Sequence, residues 1–176
     1  MLGEKTRKNL EEAFAGESMA RNKYDYFASV ALKAGYVQIS NIFKESALNE
    51  KEHAKLWAKQ LALISDDTAK NLLASVQGET YEYSEMYQRM ALEATEEEHH
   101  ELAASFRNVA KAEKAHAERY QHLLDNLEKN EVFKKSEKKR WKCNNCGYIH
   151  EGEAAPDKCP ACQHPQAHFE VFVETY

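Results

Sequence analysis

"NEKEHAKLW" at residues 49–57 and "KAEKAHAERY" at residues 111–120 each hold a Glu and, three positions later, a His: Glu50 with His53, and Glu113 with His116. Residues three apart on a helix are surface neighbours, so each pair can address a single ion. Both pairs fall on apolar stripes. In helix four the stripe reads Leu102, Phe106, Val109, Glu113, His116, Tyr120, Leu123 and Leu127, in steps of three and four. One Glu-x-x-His in a helix is a weak signal, since a solvated Glu beside a surface His accounts for it. Two on apolar faces of one chain call for a cation, because unpaired carboxylates cost several kcal/mol each in a protein interior.

Working outward, residues 1 to about 127 contain no proline, and their apolar positions recur at helical spacing. Helix one is expected near 4–34, stopped by Gly35, and helix two near 37–64. Ser65 or an Asp of "ISDDT" can cap a short crossover helix, "AKNLLASVQ", that breaks at Gly78. Helix three then runs from Glu79 to about Ala94, and Thr95-x-x-Glu98 reads as the capping box of helix four. Two long hairpins joined by a long crossover describe an all-α four-helix bundle of ferritin-like connectivity.

A weak internal repeat fits this layout. Glu17 precedes Glu50 by 33 positions, and Glu82 precedes Glu113 by 31. Glu17 sits in the core stripe of helix one, and Glu82 and Glu85 are spaced by three on helix three. Bundles that place a Glu on each of two helices and Glu-x-x-His on each of the other two hold a dinuclear iron or manganese centre. Tyr24, two turns after Glu17, can bond a ligand carboxylate or serve as core, and Tyr120 reads as core. The run "EEEHH" at 96–100 reads as a solvated helix start, where acidic side chains favour the dipole.

The C-terminal part differs in composition. All three prolines and all four cysteines lie beyond residue 140, the cysteines as Cys143-x-x-Cys146 and Cys159-x-x-Cys162. Two such knuckles make a tetrahedral thiolate site, which suits zinc or iron. The expected domains are therefore a bundle over 1–130, a charged linker over 131–140 containing "KKSEKKR", and a small metal-stabilised β/loop domain over 141–176 with a strand in "HFEVFVE".

A net charge of −5 and the lack of a clustered basic face argue against nucleic acid as a partner. With 30% charged residues and a mean hydropathy of −0.76, the chain is no membrane protein. Its start, "MLGEKTRKNLEEAF", has no apolar run of the signal-peptide kind, so a cytoplasmic location is expected.

The stretches "AFAGESMARNKY", "ALNEKEHA", "YEYSEMY", "AKAEKAHAERY" and the cysteine-rich tail, in this order, resemble the rubrerythrin family from end to end. The tail alone resembles rubredoxin, with Gln163 where many rubredoxins have glycine. The resemblance implies a non-haem diiron peroxidase that reduces hydrogen peroxide to water. Electrons would pass through the rubredoxin-like domain from a rubredoxin or from NADH-dependent reductases. It further implies diiron ligands Glu17, Glu50, His53, Glu82, Glu85, Glu113 and His116, a mononuclear iron on Cys143, Cys146, Cys159 and Cys162, and a homodimer. Two other functions compete: iron oxidation and storage of the ferritin kind, and a non-catalytic bundle carrying a zinc ribbon.

Overall fold

The computed structural model describes residues 2–175. Helices α1 (Glu4–Lys33) and α2 (Val37–Gln60) form one antiparallel hairpin. Helix α3 (Thr68–Tyr81), a π-helical turn (Glu82–Met86) and α4 (Tyr87–Glu96) run on as one continuous helix that packs against α5 (His100–Glu128). A three-stranded antiparallel sheet follows, with β1 (Lys134–Cys143) between β2 (Ile149–Ala154) and β3 (Phe169–Val171). The chain divides into two compact units, one up to Asp66 and the other from Asp67 onward.

Both hairpins close on seams of small residues. The first buries Ala28, Ala31, Ser40, Ala47, Ala54 and Ala58, and the second Ala91, Ala94, Ala103, Ala110, Ala117 and Leu124. Alanine lets helix backbones approach closely but removes little apolar surface from water, so each seam contributes modestly at about 25 cal/mol per Å². The one buried polar side chain of the seams, Ser40, is satisfied by donating from Oγ to the Ala28 carbonyl at 2.8 Å, which ties α2 to α1. Many large apolar side chains stay exposed in this chain, Leu102 and Leu123 of the helix-four stripe among them: Phe27, Ile39, Ile42, Leu102 and Leu123 are each between 42 and 56% accessible.

Helix ends follow the local chemistry. Gly35, at φ 84, ends α1 as expected, with the Tyr36 N–H returning to the Ala31 carbonyl. The same left-handed stop occurs at Ala62, so α2 ends at Gln60 rather than near 64. Asp67 caps α3 by accepting from the Ala69 N–H at 2.9 Å.

Three sequence expectations fail here. Gly78 breaks nothing, because α3 passes through it with its backbone hydrogen bonds intact and the irregularity comes later, as the π turn. Thr95 is no N-cap: its hydroxyl donates to the Ala91 carbonyl at 2.7 Å near the end of α4, and Glu98, at φ 63, is the left-handed stop of that helix. The segment 131–140 is mostly strand rather than linker. Lys134 pairs with Ala154 and Lys139 with Gly152, with a register irregularity between them, so the charged run lies along β1, with Lys134 and Lys138 exposed and Lys135 and Lys139 half-buried.

The small domain has its own core of Trp141, Cys143, Ala155, Cys159 and Phe169, against which Phe133 and Tyr148 pack. Trp141 donates its indole N–H to the Gly152 carbonyl at 2.9 Å. This domain starts at the end of α5 and is fastened there. Lys135 Nζ donates to Asn126 Oδ1 of α5 at 2.8 Å, and within the small domain the Ala155 N–H bonds the Phe133 carbonyl at 2.9 Å.

Candidate metal centres

On the first hairpin His53 Nδ1 lies 2.7 Å from Glu50 Oε2 and 3.8 Å from Glu17 Oε1. On the second, His116 Nδ1 lies 2.7 Å from Glu113 Oε2 and 3.6 Å from Glu79 Oε2. Each triad offers one ligand atom per residue, all within 4.8 Å of one another. The two triads are near copies. Their carboxylates are partly shielded, with Glu113 and Glu50 at 16 and 20% exposure, so within each hairpin they crowd together where water screens them only in part.

The structure brings Glu79 to the second triad, whereas the sequence reading had named Glu82 and Glu85. Glu82 stands close enough for its charge to act on Glu79. Glu85 enters neither triad. Six residues along a regular helix already set Glu85 about 120° around from Glu79, and the wider winding of the π turn, in which Glu85 lies exposed, adds to that separation.

A signal for Glu79 was present in the spacing. Glu50 and Glu113 are 63 positions apart, as are His53 and His116, and Phe43 and Phe106. Tyr24 and Tyr87, and Ala28 and Ala91, keep the same offset. Glu17 and Glu79 differ by 62, because the π turn adds its one extra residue after Glu79.

Burial pushes the Glu79 carboxyl above its usual 4.5, and the Glu113 charge adds to this, with His116 opposing and Glu82 reinforcing. Tyr87 is raised as well, by burial and then by Glu82, Glu113 and Glu79, so its hydroxyl is held as a donor. Its ring packs on Phe106 at 6.0 Å, as Tyr24 packs on Phe43 at 5.9 Å and on Phe27 at 6.3 Å. Tyr87 was missed from sequence, although the 63-residue offset from Tyr24 marks it.

A pH dependence follows for the metal-free protein. The folded state holds the Glu79 proton more tightly than the unfolded chain does. Stability is therefore fully present below about pH 4.5 and is lost as pH rises from there through the raised folded value. Metal-free protein is expected to melt at a lower temperature at about pH 8 than at about pH 5, and iron should remove the difference. Melts indifferent to both pH and iron would contradict a crowded ligand triad.

In the small domain Cys143 Sγ lies 3.7 Å from Cys162 Sγ, and Cys146 Sγ lies 3.6 Å from Cys159 Sγ. Four sulfurs at about 2.3 Å from a tetrahedral ion stand about 3.8 Å apart, whereas a disulfide needs about 2.05 Å. The thiols are thus set for a metal. The backbone N–H of His164 is the main cause that brings Cys162 down to about 6. For Cys146 the backbone N–H of Tyr148 pulls downward, but hydrogen bonds from the neighbouring thiols and burial prevail and push it up to about 12, so the cluster shares its protons. Gly147, at φ 78, and Gln163, at φ 61, shape the two knuckles, Gln163 adopting a left-handed backbone that glycine takes more easily.

The family model for rubrerythrin matches residues 8–124, and that for the rubredoxin-like domain of rubrerythrin matches residues 141–170. The chain belongs to the rubrerythrin family. It is 51% identical to a rubrerythrin of Clostridium perfringens, covering 100% of this chain and 98% of that protein. It is 47% identical to a rubrerythrin of Nitratidesulfovibrio vulgaris, covering 97 and 96%. Among solved structures, the mixed-valence state of nigerythrin aligns over 98% of this chain and 88% of its own, with 32% identity and a TM-score of 0.36. The ferritin-like and rubredoxin-like parts expected from sequence are those of the family. The Glu/His groups and the four cysteines fit a diiron centre plus a mononuclear iron site.

Proposed function

We propose that this rubrerythrin is a diiron peroxidase that reduces hydrogen peroxide to water in the cytoplasm, a setting in which its four thiols stay reduced. The observation that carries this reading is the pairing, in one chain, of two oxygen-rich Glu/His triads with a tetrathiolate site. Carboxylate and imidazole ligands suit iron and leave room for an oxidant to bind, while a tetrathiolate iron passes single electrons. An iron store gains nothing from an attached electron carrier, which disfavours iron storage.

In this reading Glu17, Glu50 and His53, together with Glu79, Glu113 and His116, hold the two irons, and Glu82 supplies a further carboxylate. Iron held there would supply the two electrons needed to reduce hydrogen peroxide, with two protons consumed, to two waters. Tyr87, kept protonated beside Glu82, and Tyr24, its counterpart, donate hydrogen bonds that orient carboxylates around the irons. The four cysteines hold the iron that returns electrons, fed by a rubredoxin or an NADH-dependent reductase, and the protein works as a homodimer.

Steady-state turnover tests this. With NADH, a rubredoxin reductase and hydrogen peroxide, iron-loaded protein should consume NADH in step with peroxide. Fully loaded protein that is not reoxidised by peroxide would refute the proposal, and zinc at the cysteines with no metal in the triads would favour the zinc-ribbon alternative.

A further inference from the structure

The segment that follows α2 folds back over its own hairpin, the N–H groups of Ala62 and Leu63 bonding to the Lys59 and Ala58 carbonyls. With α1 and α2 it borders a cavity of about 410 Å³, within the roughly 300–1,000 Å³ that small-molecule sites occupy. The buried Ala54 and Ala58 form its floor, with Phe14 and Ile64 as apolar wall. Its rim carries the exposed cations Arg21, Lys51 and Lys55. Lys51 and Lys55 lie about 100° and 140° around α2 from Glu50, so this rim is turned away from the Glu/His triad.

The rim is unbalanced in charge. Lys55 bonds Glu52 at 3.1 Å, whereas Arg21 and Lys51 have no ion pair among the described residues. Lys51 and Lys55 stand four residues apart on one helix, a like-charge spacing that destabilises the helix and that a bound anion relieves. The second hairpin, a near copy, shows the contrast. At the offset of 63 it has Lys114, Ala117 and Glu118 where the first has Lys51, Ala54 and Lys55, and Lys114 lies 3.8 Å from Glu118. That hairpin supplies its own counter-charge, and the first carries a second cation at the same position.

We propose that this cavity binds a single fatty carboxylate, its alkyl tail against Ala54, Ala58, Phe14 and Ile64 and its carboxylate on Arg21 and Lys51. A guanidinium takes a carboxylate through two parallel N–H donors, and a lysine adds a point charge. The apolar floor selects an anion that carries a tail over a fully hydrated inorganic one. Occupation needs no metal and leaves the triad face free.

Isothermal titration of full-length, iron-loaded protein with hexanoate, octanoate and decanoate tests this. Each added methylene that enters the cavity should tighten binding roughly fourfold. Decan-1-ol, which keeps the tail and lacks the charge, should bind at least about tenfold more weakly than decanoate. In Arg21→Gln/Lys51→Gln, decanoate should fall to the level of decan-1-ol while decan-1-ol itself binds as before, which also shows that the cavity still folds. The wild-type series decides the matter even if that variant fails to fold. Carboxylate taken up by the irons instead would bind with no dependence on tail length, on Arg21 or on Lys51. That outcome overturns the proposal, as do the lack of saturable decanoate binding and equal affinity for decan-1-ol. Sedimentation with phosphatidylglycerol vesicles in the absence of monomeric decanoate binding would likewise overturn it, in favour of a membrane contact. The readout is binding rather than turnover, so loss of the peroxidase reading leaves the result standing.

Discussion

Replacing Glu113 or His116 by alanine is expected to abolish peroxide reduction while the red tetrathiolate spectrum stays unchanged. Glu113 and His116 sit on α5, and their side chains share no contact with the four cysteines, which have a separate hydrophobic core. Loss of a residue that merely orients a metal ligand typically costs 10- to 100-fold, so loss of a ligand should cost more than about 100-fold. The converse variant, Cys159→Ser, should lose the red spectrum and all NADH-coupled turnover. It should still permit a single reaction between peroxide and a chemically pre-reduced diiron centre. Full NADH-coupled activity in Glu113→Ala would show that the Glu/His triads are not the reacting site.

The second large effect separates Glu79 from Glu85. Glu79→Ala should lose diiron binding and activity by about the same 100-fold or more, because its carboxylate lies 3.6 Å from the His116 ring and shares a face with Glu113. Glu85→Ala should keep both within about twofold, as expected of a surface change worth under 0.5 kcal/mol. Iron content and NADH-coupled rate, measured on the two variants side by side, decide the matter. If Glu85→Ala loses iron and Glu79→Ala does not, the register of the π turn has been misread.

This contrast shows which parts of the structure the residues announce. Glu50, His53, Glu113 and His116 were legible because each pair obeys the three-residue spacing of a regular helix. The cysteines were legible because a knuckle is a local object whose spacing is its geometry. Glu79 was harder to see, because a π turn leaves no distinctive residue type: "EYSEM" reads as ordinary helix, and the displaced register shows only when the two halves are aligned at an offset of 63. The strand at Lys134–Cys143 was hidden differently. Its lysines, Arg140 and Glu137 look like a solvated linker, and only the partner strand at Ile149–Ala154 reveals why they are extended. Gly78 misled for the opposite reason, since a helix tolerates one glycine at a cost of about 1 kcal/mol.

The bond from Lys135 to Asn126 and the packing of Phe133 onto the small domain bear on how electrons arrive. A carrier on a loose tether delivers charge by random search, at a rate set by tether length and solvent drag. Here only five residues separate the end of α5 from the sheet, and Lys135, the second residue of β1, is bonded to Asn126 of the helix. Under the proposed function, the carrier is thus held to α5, the helix that also bears Glu113 and His116, and delivery follows a built-in spacing rather than diffusion of the tail.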